Sequence, residues 1–324
     1  MFESQSVRTK DHWTRKVVPR VRVRNSLEFL REFVSRSEPC ILIGAMEDWP
    51  AMKRWNRHYL KSKLKSTEVS VNITPNGLGD AILDGNKFVM PMELNMKFES
   101  FVNEFEESKE SRVLYLSHQN DSFRTQFKAL SDDVPDTIHF ATEAFGTKPD
   151  AVNLWIGDER SVTSLHKDHY ENMYAVISGE KHFTLLPPSD VFGLYEREFP
   201  SYQYANVKSH EDYKIVSSDF KTSWIPVDPK KPDLEQYPLY AYTSPMECVV
   251  RSGEMLYLPA MWYHRVAQKG FTIAVNYWYD MHFGQNYVYH NFVKDLTERY
   301  LQEARRRSIS SSEEGEDDSP KEKE

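Results

Sequence analysis

Two pairs of the form His-x-Asp occur in the chain, His166–Asp168 and His210–Asp212. Such a pair can supply part of the facial triad that holds a non-haem Fe(II). Two neutral imidazoles and one carboxylate take one face of an octahedron and leave three positions open. Residues i and i+2 of a strand point to the same side, so the pair offers two ligands with one bite. The pattern alone is weak: eleven histidines and twenty aspartates in 324 residues give about 0.7 such pairs by chance, the usual hazard of a short motif.

Context separates the two pairs. His210 sits in VKSHEDYK, within a polar stretch, and reads as a surface pair with Asp212. His166 closes an alternating segment, VTSLHKD, directly before NMYAVISGEKHFTLLP. That stretch reads as a hairpin turning at Ser178–Gly179–Glu180, with Lys181 beginning the return strand near the metal region. A lysine there suits the distal carboxylate of a dicarboxylate cosubstrate. Lys167 falls on the opposite face and is expected to be exposed. A third ligand must come from another strand. The segment LYLPAMWYHRVAQKGFTIAVNYWY contains one histidine, His264. A lone histidine in such surroundings is ordinarily a hydrogen-bonded core residue, but the hairpin and the lysine turn the reading toward a ligand. His169 and His182 are out of phase with their neighbours, and His139, His282 and His290 have no supporting pattern.

The elements that must position these residues are mostly short strands. AVNLWIG, VTSLH, NMYAVIS, KHFTLLP, ECVVRSG, EMLYLP and FTIAVNYWY each read as one, with Gly or Pro beside many of them. That predicts a sandwich, barrel or jelly roll from about residue 151 onward. Upstream, Leu27, Leu30 and Val34 recur at helical spacing, as do Phe29 and Phe33. CILIG, TEVSVNIT and RVLYLS read as strands, and 98–107 as a short helix. Residues 189–245, polar and rich in Tyr and Pro, form a long insertion. Over 286–304 the stripe Val288, Phe292, Leu296 and Tyr300 predicts a helix able to pack on the body or on a second subunit. Residues 1–35 form an N-terminal helical extension.

Composition narrows the class. Forty per cent of residues are apolar, enough for a folded core, and the net charge of −8 argues against binding nucleic acid through a basic face. Two cysteines, Cys40 and Cys248, exclude a disulfide scaffold and a four-cysteine zinc site. The Rossmann glycine pattern, the P-loop and the zincin pattern are absent. No apolar run approaches the roughly 20 residues needed to span a bilayer, and the N-terminus lacks the apolar stretch of a signal peptide. A cytoplasmic location is expected, without membrane partners; the basic triplet Arg305–Arg307 leaves a nuclear one open. Residues 308–324 carry seven acidic and two basic residues, hence −5, with no aromatic. The segment 305–324 is therefore expected to be a disordered acidic tail.

The stretch RSVTSLHKDHYENMYAVISGEKHFTLL, with GEMLYLPAMWYHRV and IAVNYWYD, resembles the jumonji-C group of Fe(II)- and 2-oxoglutarate-dependent oxygenases. The likeness extends upstream to DWPAMKRW and covers roughly residues 35–300. It implies a double-stranded β-helix, jelly-roll or cupin-like, over 36–285. It implies His166, Asp168 and His264 as iron ligands, and Lys181 as the partner of the distal carboxylate of 2-oxoglutarate. Thr163 and Tyr115 would be hydroxyls near that carboxylate, Asn172 and Asn276 polar residues near cosubstrate and metal, and Trp278 an aromatic of the last strand. The implied cofactors are Fe(II), 2-oxoglutarate as cosubstrate and O2. The implied activity is hydroxylation of a lysyl side chain in a protein substrate, with translation-associated GTP-binding proteins as targets and release of succinate and CO2. An N-methyl-lysine demethylase, a divalent-metal endopeptidase acting on histone tails at modified arginine, and a non-catalytic cupin-like module are the competing readings. Related folds also suggest a homodimer through the C-terminal helix. Asp158, Glu159 and Glu171 are candidates, by proximity, for an acidic rim.

Overall fold

Two strands far longer than the sequence suggests organise the body. In the computed structural model, which describes residues 2–12, 15–107 and 112–314, Tyr170–Leu186 and Tyr263–Asp280 run antiparallel along their lengths, from Tyr170 opposite Asp280 to Leu186 opposite Tyr263. The hairpin expected at Ser178–Gly179–Glu180 is therefore replaced by a bulge, with the register slipping on both sides of Ser178. Gly179 takes φ +76° there, and a Cβ would lie 2.5 Å from Thr272 Cγ2 and 2.8 Å from the Phe271 carbonyl oxygen. An extra residue bends a strand without ending it, and only glycine fits this conformation and this approach without strain.

The bend lets each long strand serve two walls. Before the bulge, residues 172–175 also pair with the strand Glu254–Leu258; after it, residues 180–185 pair with Met246–Arg251. Tyr263–Asp280 likewise pairs with Val162–His166 near its start and Ala151–Gly157 near its end. With Cys40–Ile43, Arg20–Val21 and Leu78–Gly79 these strands form one nine-stranded sheet. This is the double-stranded β-helix. Alternate side chains enter different cores: Met173, Ala175 and Ile177 join a large cluster with Phe29, Tyr257 and Tyr277. Tyr174 and Val176 join a second with Trp155, Phe183 and Val266.

Smaller sheets bring distant segments to the barrel. Glu68–Thr74 pairs with Met92–Lys97 and Val113–Tyr115, which places Tyr115. The 189–245 segment contributes Arg197–Ala205 and Lys214–Trp224, which pair with each other, and the first lies parallel to Lys87–Met90. It is thus stitched to the N-terminal half. Near the N-terminus, Asn25 caps a short helix, Ser26–Phe29, by accepting from Glu28 N at 2.9 Å, and a π-helical turn Leu30–Val34 follows. Of the two candidate stripes, Phe29 and Phe33 are buried, while Leu27 is 55% exposed.

The chain divides at residue 282 into two compact units. The second holds a helix, Gln285–Glu314, longer than the expected 286–304. No glycine or proline interrupts it before Gly315, so nothing stops it at the basic triplet. It enters the segment expected to be disordered, of which 315–324 lies outside the described residues. Val288, Phe292 and Tyr300 are exposed on it. No described helix is long and apolar enough to cross a membrane.

Candidate active site

His166 ends its strand and pairs in register with His264 on the neighbouring one, with ring centroids 4.1 Å apart. Asp168 lies just past the strand end. Its carbonyl accepts from Met261 N at 2.9 Å, in a turn where Met261 takes φ +68°. One backbone hydrogen bond thus ties the Asp168 loop to the turn that leads into His264. The Asp168 carboxylate lies 3.9 Å from His166 Nε2 and 3.5 Å from His264 Nε2. Among the described residues these three form the one group whose donor atoms converge, all within 4.8 Å of one another.

Each imidazole is oriented through its far nitrogen. Nδ1 of His166 lies 2.8 Å from the Ser164 carbonyl oxygen, and Nδ1 of His264 lies 3.0 Å from that of Trp262. A carbonyl only accepts, so each neutral ring carries its proton on Nδ1 and keeps the Nε2 lone pair for the Asp168 side. Burial, helped by the neighbouring His166 ring, holds His264 down to about 4, so it is neutral at pH 7. Trp224, from the insertion, stacks on His166 at 5.9 Å and 2° and donates to Ser164 Oγ at 3.0 Å. Two imidazole Nε2 atoms and one carboxylate group, oriented this way, fit a divalent iron.

A cavity opens on the three residues, and Tyr115, Thr163, Asn172, Asn276 and Trp278 all line it. Asn276 Nδ2 donates to Asn172 Oδ1 at 3.3 Å and accepts at Oδ1 from Trp155 Nε1 at 2.8 Å. Trp278 stacks on Tyr170 at 4.9 Å, its indole N–H buried without a partner. Lys181 is 1% exposed and stands behind this wall. It donates to Tyr115 Oη at 2.9 Å and to Gln268 Oε1, its register partner. No carboxylate among the described residues reaches it, and burial holds its ammonium down to about 7. Thr163 lines the same cavity wall as Tyr115. A Cβ on Gly157 would come within 2.7 Å of the Tyr115 ring and 2.6 Å of Gln268 Nε2, so a glycine is required where these side chains meet the barrel.

Other candidates fall elsewhere. His210 meets the Pro75 carbonyl and Asp212 pairs with Lys208, both away from the triad. His182 faces Glu180 at 3.3 Å. Of the acids proposed for a rim, Asp158 is buried against Arg160 at 2.8 Å, and Glu171 accepts from Tyr257 Oη and Ala260 N; only Glu159 is exposed. Lys167 is not exposed: both oxygens of buried Glu196 lie 2.7 Å from its Nζ, because the insertion folds over that face. The same Glu196 accepts from Tyr263 Oη and Ser223 Oγ, each at 3.1 Å. Trp224, Glu196, Gln268, Trp155 and Asp80 were not legible as site residues. Only Gln268 had a signal, its placement opposite Lys181 once the long-strand register is known.

Residues 26–285 match the model of the cupin-like domain. The chain is 43% identical over 277 residues to the human bifunctional peptidase and (3S)-lysyl hydroxylase JMJD7, covering 84% of this chain and 86% of that protein. It is 43% identical over 287 residues to the Arabidopsis thaliana lysine-specific demethylase JMJ32, covering 83% of each. It is 41% identical over 315 residues to the Dictyostelium discoideum JmjC domain-containing protein E, covering 87% of this chain and 89% of that one.

Proposed function

The chain belongs to the cupin-like domain family, among its JmjC oxygenases, and we propose that it is an Fe(II)- and 2-oxoglutarate-dependent hydroxylase acting on a lysyl side chain of a protein substrate. The observation that carries the reading is Lys181, a buried cation without an acidic partner, joined through Tyr115 to the wall of the triad cavity. Burying an ammonium is costly unless an anion completes it, and a dicarboxylate cosubstrate supplies one.

His166, Asp168 and His264 would hold the iron. Fe(II) with 2-oxoglutarate and O2 supplies the oxidising power for placing one oxygen on a C–H carbon, with succinate and CO2 as coproducts. The chain's part is orientation. Carbonyls of Ser164 and Trp262 fix both imidazole tautomers. Lys181, with the hydroxyls of Tyr115 and Thr163, would fix the distal carboxylate, so that the cosubstrate is positioned before reaction. Aromatic side chains of Trp155, Tyr174, Phe183 and Trp278 line part of the cavity and would limit water there.

A demethylase would use the same centre on an N-methyl carbon. A divalent-metal peptidase would use the triad but would have no use for Lys181, which supports the oxygenase reading over it. His166→Ala or Asp168→Ala should abolish succinate formation in a 2-oxoglutarate turnover assay, and His210→Ala should leave it intact. Full turnover by the Asp168 variant would sink the assignment.

A further inference from the structure

A second pocket adjoins the triad cavity and shares four wall residues with it: Tyr115, Gln119, Trp155 and Thr163. Asn72, Asp80 and Ser161 lie in its remaining wall, and no lysine, arginine or histidine lines it. Two buried polar atoms there are idle, beside a carboxylate without an ion pair. Asp80 makes no ion pair among the described residues; burial pushes its carboxyl up to about 6, and the charge of His166 only partly offsets this. Asn72 commits its Nδ2 to Ser117 Oγ at 2.8 Å, which leaves its Oδ1 buried without a partner. Ser161, 2% exposed, has an unpartnered Oγ.

The position of Asp80 is also fixed. It holds φ +50°, and its carbonyl accepts from Ser164 Oγ on the strand that ends in His166. Idle buried acceptors around an unpaired carboxylate are unfavourable until a charged donor arrives. Lys181 lacks an anion on one side of the shared wall, and Asp80 lacks a cation in the adjoining chamber. The two deficits match the opposite charges of cosubstrate and substrate.

We propose that this chamber receives the ammonium end of the substrate lysyl side chain, with Asp80 as the specificity-determining carboxylate and Asn72 and Ser161 as accompanying hydrogen-bond partners. The proposal rests on the lysyl reading above and deepens it. An alkyl chain reaching into the chamber would pass the shared wall, so its methylenes would meet the triad cavity while its charge is held apart from the metal.

The test separates this proposal from that reading. Binding of n-butylammonium to the full-length protein, without iron or 2-oxoglutarate, is followed by ligand-observed NMR, with n-butanol as the neutral control. The wild type should bind the ammonium well above the alcohol. Asp80→Asn should lose on the order of tenfold in that affinity. Asparagine and glycine both tolerate positive φ, so Asp80→Gly serves as a second variant that keeps the backbone. Equal ammonium affinity in both variants and wild type, or alcohol binding as tight as ammonium, would overturn the proposal. In parallel, wild type and Asp80→Asn are assayed for oxygen incorporation into lysyl peptides. Asp80-dependent ammonium binding without any hydroxylation by wild type leaves the chamber standing and removes the lysyl reading. Hydroxylation by Asp80→Asn at wild-type kcat/KM does the reverse.

Discussion

Lys181 meets only neutral oxygens, from Tyr115 and Gln268, and burial lowers its pKa to about 7. An unfolded lysine titrates near 10.4. Between these values the unfolded chain binds a proton that the free folded chain does not. The Lys181 contribution to the stability of the free protein therefore rises with pH from about 7 toward about 10 and is flat below 7. A bound carboxylate needs the ammonium, which reverses this preference. Affinity for 2-oxoglutarate should weaken about tenfold per pH unit above 7, with uptake of a proton on binding. Calorimetry at pH 8 in two buffers of different ionisation heat measures that proton directly; binding without uptake would contradict the role given to Lys181. The triad and this lysine were legible because a two-residue spacing and an alternating strand constrain direction. Asp80, Glu196 and Trp224 were not, because each arrives from a segment remote in sequence and nothing local marks it.

At the scale of elements, Ser178–Gly179–Glu180 shows why strand boundaries are hard to read. A glycine between alternating strands signals both a turn and a bulge, and the period of two survives either way. Only the partner decides, and here Tyr263–Asp280 runs past the glycine without stopping. Gly179→Ala should therefore cost about 2 kcal/mol or more in urea unfolding, from the left-handed backbone and the contact with Phe271 and Thr272. Wild-type stability in that variant would mean that the strand does not bend there. The insertion was legible as a segment but not as a contributor to the site. Its Glu196 holds Lys167, which lies between His166 and Asp168, and Tyr263, which precedes His264. Removing one partner of a buried pair costs about 3 kcal/mol or more, and residues supporting metal ligands typically change affinity by about tenfold or more. Glu196→Gln should show both effects, in denaturation and in Mn(II) titration. An unchanged Mn(II) affinity would reduce Glu196 to a purely structural role.

For the molecule as a whole, the fold class followed from many short strands with turn signals, while closure into a double-stranded β-helix depended on two long bent strands that read as separate pieces. Net charge proved uninformative about the site: five of the eight excess negative charges fall in 308–324. The charges that bear on chemistry are single side chains, Lys181 behind one cavity and Asp80 in the wall of the next. The hydroxylase reading requires that substrate oxidation and cosubstrate turnover keep pace. The direct measurement is to incubate the full-length protein with Fe(II), 2-oxoglutarate, O2 and a pool of unmodified and N-methylated lysyl peptides, and to follow peptide mass and succinate together. The expected result is a gain of one oxygen on an unmodified lysine for each succinate formed, without formaldehyde. Loss of methyl groups with release of formaldehyde, or shortened peptides without succinate, would contradict it.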